Sequence, residues 1–318
     1  MQGENVDHAQ PISTWSAEQE LHLVVFTKPP IAGLTKQRLS REIGSTLATR
    51  ISAALVENTL ATAYDWLQGL DLQAGGTGAV HLYYTPVESE QAKAECVERW
   101  LDDSVRHRYP AFRIAPQKAS KVQSTGDQKQ DPLGSRLIQA FTEVTSLVDE
   151  SRDAHVVVIG SDCPALDTAV LQQAFAALHA GHGAVIGPAQ DGGYYLLGLA
   201  FAAAERTRWA RVIYAAFGPH LVFSQNDVCA RTVEALRNDG VRTICLPVTL
   251  NDVDTAQDLV HLPASMRPRE WFSSANARLH KTSDLVETAP APGSTTCDEE
   301  VDADKLDPSV QNVCSRQV

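Results

Sequence analysis

Gly187-Pro-Ala-Gln-Asp-Gly-Gly-Tyr-Tyr-Leu-Leu-Gly198, read together with Gly160-Ser-Asp-Cys-Pro164 upstream, decides the fold of this chain. The β-branched run Val156-Val-Val-Ile159 feeds the upstream segment, and Ala184-Val-Ile186 feeds the downstream one. Short apolar runs that end abruptly in Gly, Pro and Asp read as buried strands opening onto loops. In open α/β sheets, ligands bind in the crevice beyond the carboxyl ends of the strands. Asp162 sits just past one such strand, beside a proline that keeps the backbone from closing over it. The Gly192-Gly193 pair bares the backbone, so its N–H groups can approach a substrate closely.

Working outward, strands and helices alternate through most of the chain. Leu21–Thr27 reads as a first buried strand, and Ser45 to Leu70 has helical spacing with Ser45 as its N-cap. Val80–Thr85 and Phe112–Ala115 are further strands, with a helix over about 88–103 between them. A helix over Gly134–Val148 precedes the strand His155–Ile159, and a helix over 168–180 follows with Asp167 as N-cap. Ala184–Pro188 and Tyr194–Leu199 flank a tight turn; a helix over 226–239 and a strand over Arg242–Leu246 close the series. Asp254 or Thr255 can cap a short final helix. Such alternation predicts an α/β fold with an open, mostly parallel sheet covered on both faces. Residues 1–19 read as a flexible arm and 20–264 as the domain; 265–318 form an acidic tail without hydrophobic pattern, expected to be disordered. Residues 117–132 read as a flexible polar loop.

Composition narrows the function. The formal charge of −12 argues against nucleic acid as a partner. Eight acids and one base between Asp284 and Asp307 carry −7 of it, leaving −5 for the rest. No apolar run approaches the roughly 18 residues of a membrane span. The polar, acidic first twenty residues resemble neither a signal nor a transit peptide, so the expected location is cytoplasmic. The six cysteines show no metal spacing and read as free thiols, Cys163 as a packing residue.

Several segments carry chemistry, each beside a plainer reading. In Phe26-Thr-Lys-Pro-Pro-Ile-Ala-Gly-Leu-Thr-Lys-Gln-Arg-Leu39, Lys28, Lys36 and Arg38 surround a turn at Gly33 and suit a di- or triphosphate; the segment also reads as a solvated basic loop. Asp162 is a hard oxygen ligand for Mg²⁺ or Mn²⁺, or else the start of an Asx-turn. Asp252 and Asp254, at i and i+2, can face one cation, or cap the helix that follows. Asp258 has only the capping role. Asp191 lies in an Asp-Gly hairpin signal that a functional role can share. Arg136, in Leu133-Gly-Ser-Arg136 at a helix start, can assist anion binding there, or simply open a surface helix.

Together these segments resemble the DUF2064 proteins, bacterial transferases of the glycosyltransferase-A type that are sometimes associated with radical-SAM or arsenosugar biosynthesis genes. The family pattern F-x-K-x-P-x-x-G-x-x-K-T-R-L, L-G-x-R, G-S-D-C-P, G-P-x-x-D-G-G-Y-Y-L-x-G and D-V-D-T-x-x-D-L is matched in order between about residues 21 and 262. Gln37 departs from Thr, Gln190 from Glu, and Phe223 from a common Trp. The resemblance implies the three-layer α/β/α sandwich of nucleotide-diphospho-sugar transferases, similar in outline to molybdenum-cofactor and phospholactate guanylyltransferases. It implies a transferase that takes a nucleotide sugar, or alternatively a nucleoside triphosphate, with a small-molecule acceptor and Mg²⁺ or Mn²⁺. Asp162, Asp252 and Asp254 would hold the metal, while Lys28, Gly33, Lys36, Arg38 and Arg136 would contact the nucleotide phosphates. Gly192, Gly193 and Tyr194 would line the substrate pocket, with Asp191 as general base. A non-catalytic nucleotide-binding protein is the third reading.

Overall fold

The computed structural model describes residues 19–72, 76–87, 90–118, 131–223 and 225–267. The N-terminal arm, most of the polar 117–132 loop and the acidic tail lie outside these residues.

Seven strands form one sheet in the order β3-β2-β1-β4-β6-β5-β7. They are β1 (Gln19–Thr27), β2 (Thr77–Tyr84), β3 (Arg113–Pro116), β4 (Asp153–Gly160), β5 (Ala184–Pro188), β6 (Tyr194–Phe201) and β7 (Thr243–Cys245). Only β6 runs antiparallel to its neighbours. The Asp191-Gly192 hairpin explains the reversal, since a tight turn can only return the chain alongside itself. β1 is an interior strand, beside the central β4, and reads as a largely apolar run because both its faces are covered. Leu21, Leu23 and Val25 face one core, Val24 and Phe26 the other.

The first core is closed by α2 (Ser45–Gln68), α3 (Gln91–Trp100) and α5 (Thr168–His179); Trp66 of α2 stacks on Phe175 of α5 at 4.7 Å. The second is closed by α4 (Pro132–Ser146), α6 (Trp209–Phe217) and α7 (Val228–Asn238), centred on Phe141, Phe201 and Phe217. This is the α/β/α sandwich. Among the described residues no helix is long and apolar enough to cross a membrane.

Local chemistry departs from expectation in several places. Ser45 is not an N-cap: Gly44 takes that position with φ 88°, and it separates α2 from a short preceding helix, α1 (Gln37–Ile43). Only glycine accepts that φ without strain. The periodicity assigns neither α1 nor α6. The helix expected over 88–103 is α3 from Gln91, continued to Arg106 as a π-helix. Asp167 caps α5 as expected, accepting from the Val170 N–H at 2.9 Å. Capping at the last turn is inverted: the Asp258 carboxylate accepts from the N–H groups of Asp254 (3.0 Å) and Thr255 (2.7 Å).

The chain leaves β1 toward β2 on one side and returns through α4 to β4 on the other. The carboxyl ends of β1 and β4 therefore flank a topological switch point, where such sheets open a crevice.

Candidate functional site

Strand register brings Phe26 of β1 opposite Gly160 of β4, so Thr27 and Ser161 emerge side by side. Their hydroxyls are hydrogen-bonded at 2.9 Å. On the other side, Gln117 fastens the ends of β1 and β2, donating through Nε2 to Thr27 O (3.2 Å) and Tyr83 O (3.0 Å). Thr85 Oγ1 donates to its Oε1 at 3.2 Å. The floor of the crevice is thus fixed by polar groups that pair with one another.

Three segments converge on this floor. The β1–α1 loop contributes Lys28 and Lys36, and α1 contributes Arg38 and, from its last turn, Arg41. The β4 end contributes Asp162, whose backbone carbonyl accepts from the Val253 N–H at 3.0 Å and so draws in the 252–254 segment. That segment is also anchored through Leu250, which donates to Pro188 O (3.3 Å) and accepts from the Gln190 N–H (3.0 Å). The α4 N-terminus adds Asp131 and Arg136. Asp131 caps α4 by accepting from the Leu133 N–H at 2.8 Å, and its other oxygen accepts from the Phe223 N–H at 3.3 Å. The open crevice they line measures about 840 Å³. Its cationic lining is Lys28, Lys36, Arg38, Arg41 and Arg136 against Asp131, Asp162 and Asp254.

Lys36 lies at the centre of the charges. It takes up the left-handed backbone conformation, φ 46° and ψ 48°, at the start of α1. Its side chain is only 4% exposed, and its ammonium contacts Asp162 Oδ1 and Asp254 Oδ1, the latter at 2.9 Å. Burial pushes its pKa down, but Asp162 and Asp254 outweigh this and hold it above the usual lysine value. Asp254 responds in the opposite sense. Burial raises it, yet Lys36 foremost, then Arg38 and Lys28, hold its carboxyl below the ordinary range. Asp252 is pushed up to about 6, first by burial and then by the charges of Asp254 and Asp191.

These carboxylates are hard oxygen donors, and Asp252 faces two further negative charges. Such an excess suits a divalent cation. Among the described residues no three His, Cys, Asp or Glu side chains stand grouped around a metal position, and Lys36 fills the gap between Asp162 and Asp254. The residues thus fit the cation by donor type, with the Lys36 ammonium standing between two of the donors.

Of the residues singled out in the sequence, Lys28, Lys36, Arg38, Arg136, Asp162, Asp254 and Tyr194 line the cavity, whereas Gly33, Asp191, Gly192, Gly193 and Asp252 do not. Gly33 has φ 81° and serves the turn before α1. Gly192 has a packing reason to be glycine: a Cβ there would lie 1.8 Å from Asn226 O, and its carbonyl accepts from the Cys229 N–H at 3.0 Å. The Gly193 N–H donates to Asp191 Oδ1 at 2.8 Å. Cys163 is a core residue whose thiol burial pushes well above its ordinary value. Sequence reasoning misses Arg41, Asp131 and Gln117. Arg41 follows Arg38 at i+3, a helical signal visible only once α1 is known.

Residues 71–214 match the family profile described as "Uncharacterized protein conserved in bacteria (DUF2064)". Among solved structures the chain is similar to a "putative nucleotide-diphospho-sugar transferase" from Desulfovibrio desulfuricans G20. The two are 26% identical with a TM-score of 0.55, over 84% of this chain and 96% of that one. A weaker similarity (11% identity, TM-score 0.41, 78% and 99% covered) relates it to 4-diphosphocytidyl-2C-methyl-D-erythritol synthase from Anaerococcus prevotii DSM 20548. Another (16% identity, TM-score 0.37, 76% and 97% covered) is to Rv0371c from Mycobacterium tuberculosis H37Rv, in complex with manganese. No curated protein matches the chain.

Proposed function

We propose that this chain is a transferase that binds a nucleotide-activated donor in the β1/β4 crevice and passes a sugar from a nucleotide sugar to a small-molecule acceptor. One observation carries the reading: five cations from the β1–α1 loop, α1 and α4 converge with Asp162 and Asp254 on one cavity of about 840 Å³ at the switch point. That volume lies in the range of small-molecule and cofactor sites. The similarity to the Desulfovibrio protein supports the same class.

In this reading Lys28, Arg38, Arg41 and Arg136 receive the donor's phosphates. The arginines use bidentate hydrogen bonds and Lys28 a point charge. Asp162, Asp252 and Asp254 would hold Mg²⁺ or Mn²⁺, which when bound would offset the negative charge that builds on the departing diphosphate. The bond between the anomeric carbon and the β-phosphate oxygen breaks, and the nucleoside diphosphate leaves. The acceptor oxygen bonds to the anomeric carbon and gives up its proton. Asp191 takes that proton through Oδ2, since Oδ1 already accepts from the Gly193 N–H.

A second reading is nucleotidyl transfer, in which an acceptor phosphate attacks the α-phosphate of a nucleoside triphosphate and pyrophosphate leaves. It is favoured by the weight of cationic lining, which suits a triphosphate equally, and by Asp191 lying outside that lining. One assay separates the readings. The protein is incubated with Mn²⁺, small metabolites from a cell extract, and either each nucleotide sugar or each nucleoside triphosphate. Nucleoside diphosphate released from a nucleotide sugar, and lost in Asp162→Ala, supports sugar transfer. Pyrophosphate release without it establishes the second reading, and binding without turnover of either donor leaves a nucleotide-binding protein.

A further inference from the structure

We infer that Lys36 makes the divalent-cation site conditional on phosphate: its ammonium holds Asp162 and Asp254 together and excludes the cation until a polyphosphate offers it another partner. The inference rests on the reading that Asp162 and Asp254 are cation ligands.

The geometry of the loop supports it. The Lys36 ammonium already contacts both Asp162 Oδ1 and Asp254 Oδ1, and its side chain is almost wholly buried. A divalent ion bridging the same two oxygens would meet that ammonium within a few ångströms, in a setting where like charges are poorly screened. The lysine cannot shed the conflict by backbone movement. Its carbonyl accepts the first helical hydrogen bond of α1, from the Ser40 N–H at 2.8 Å. The far end of α1 is tied to the 252–258 segment by Glu42 Oε2, which accepts from the Ala256 N–H at 2.9 Å. Lys36 is also the one non-glycine residue with positive φ among those described, a conformation that persists only where its surroundings impose it. What can move is the four-carbon stem, which is flexible and carries a compact charge.

A destination for that charge lies in the same cavity. Lys28, Arg38 and Arg41 line it beside Lys36. A polyphosphate gathered by those cations brings several negative charges next to the ammonium, which then turns from the carboxylates to the phosphate oxygens. The vacated carboxylates of Asp162 and Asp254 would then be free to hold the divalent ion, whose charge would offset that of the phosphate. Cation and polyphosphate therefore favour each other's binding, and by linkage the favour is mutual. The bare ion is held weakly, so the site does not fill before the donor arrives.

The test is Mn²⁺ binding to the full chain, followed by the loss of the free-ion electron paramagnetic resonance signal. The variants are Lys36→Met, which removes the charge, and Lys36→Asn, which also tolerates the left-handed backbone. Circular dichroism confirms that each is folded. Both variants should bind Mn²⁺ alone at least tenfold more tightly than the parent, and adding Asp162→Asn to either should abolish the gain. The preformed one-to-one manganese–pyrophosphate complex should bind the parent at least tenfold more tightly than Mn²⁺ alone, and this gap should shrink in both variants. Folded Lys36 variants that bind Mn²⁺ no better than the parent, with binding still lost in Asp162→Asn, overturn the inference and leave the metal reading intact. No Mn²⁺ binding to any of these proteins, with or without pyrophosphate, overturns the metal reading and the inference with it.

Discussion

Replacing His155 by leucine should remove about 2 kcal/mol of acid sensitivity from the fold between pH 7.5 and pH 5. His155 lies inside β4, 5% exposed, opposite Leu21 of β1 and Ala200 of β6. Its Nδ1 has no hydrogen-bond partner, and the His179 ring stands edge-on 6.5 Å away. Burial, with His179 second, pushes its pKa down to about 3. In the unfolded chain the same ring titrates near its ordinary value of about 6.5. The folded value is depressed and the group is a base, so between these two values the unfolded chain binds the extra proton. Stability is complete above pH ~6.5 and falls as the solution is acidified, by about 1.4 kcal/mol per pH unit until about pH 3. At pH 5 the loss is therefore about 2 kcal/mol for this residue. His81 carries a similar liability, pushed down to about 3 by burial, then by His22 and Arg113. Urea unfolding of the parent and His155→Leu at pH 7.5, 6 and 5 isolates the effect. Groups such as Asp252, whose raised pKa works in the opposite sense, act alike in both proteins. At pH 7.5 the leucine variant should be at least as stable, because an unpaired buried nitrogen is replaced by apolar atoms. Parallel pH profiles for the two proteins would refute the reasoning.

Other consequences follow from single contacts. Gly192→Ala should cost more than about 3 kcal/mol, because the new Cβ meets Asn226 backbone at a residue with φ 87°; an unchanged melting temperature would show that the 226 segment yields easily. Gln117→Ala removes the donor shared by Thr27 O and Tyr83 O, and should cost about 1–3 kcal/mol in denaturant unfolding while weakening nucleotide retention. Asp131→Ala strips the α4 cap and the Phe223 contact, and should cost about 1–2 kcal/mol in the same experiment, with Asp131→Asn recovering most of it.

The layered sheet was legible in the sequence because its strands are buried on both faces and so read as unbroken apolar runs ending in Gly, Pro or Asp. The antiparallel β6 was legible too, through the Asp191-Gly192 turn. Helix α1 was not. It has seven residues, too few for a period to repeat, and it starts from a left-handed lysine instead of a Ser, Thr or Asp cap. Missing α1 also hid Arg41. The 45–68 helix shows the same limit in reverse: Ser45 has the right chemistry for a cap, but Gly44 carries the φ that the junction requires. Neither spacing nor propensity reports a backbone conformation imposed from elsewhere in the fold.

The site residues divide in the same way. Positions past strand ends pointed to Lys28 and Asp162, because strand ends in an open sheet share one edge, and a helix start pointed to Arg136. Pairings across long sequence distances had no such signal. Lys36 and Asp254 are 218 residues apart, and their segments are held near each other through the Val253 N–H on Asp162 O and the Ala256 N–H on Glu42 Oε2. Total charge was the least informative guide of all. The chain carries −12, yet the cavity at the β1/β4 switch point is lined by five cations and three carboxylates. A local field is set by which charges face one low-dielectric space, not by their sum over the surface. In the proposed reading an acidic chain still draws a polyphosphate into this crevice, and the sign of that cavity follows from topology, because the β1–α1 loop and the α4 terminus open on the same side of β1.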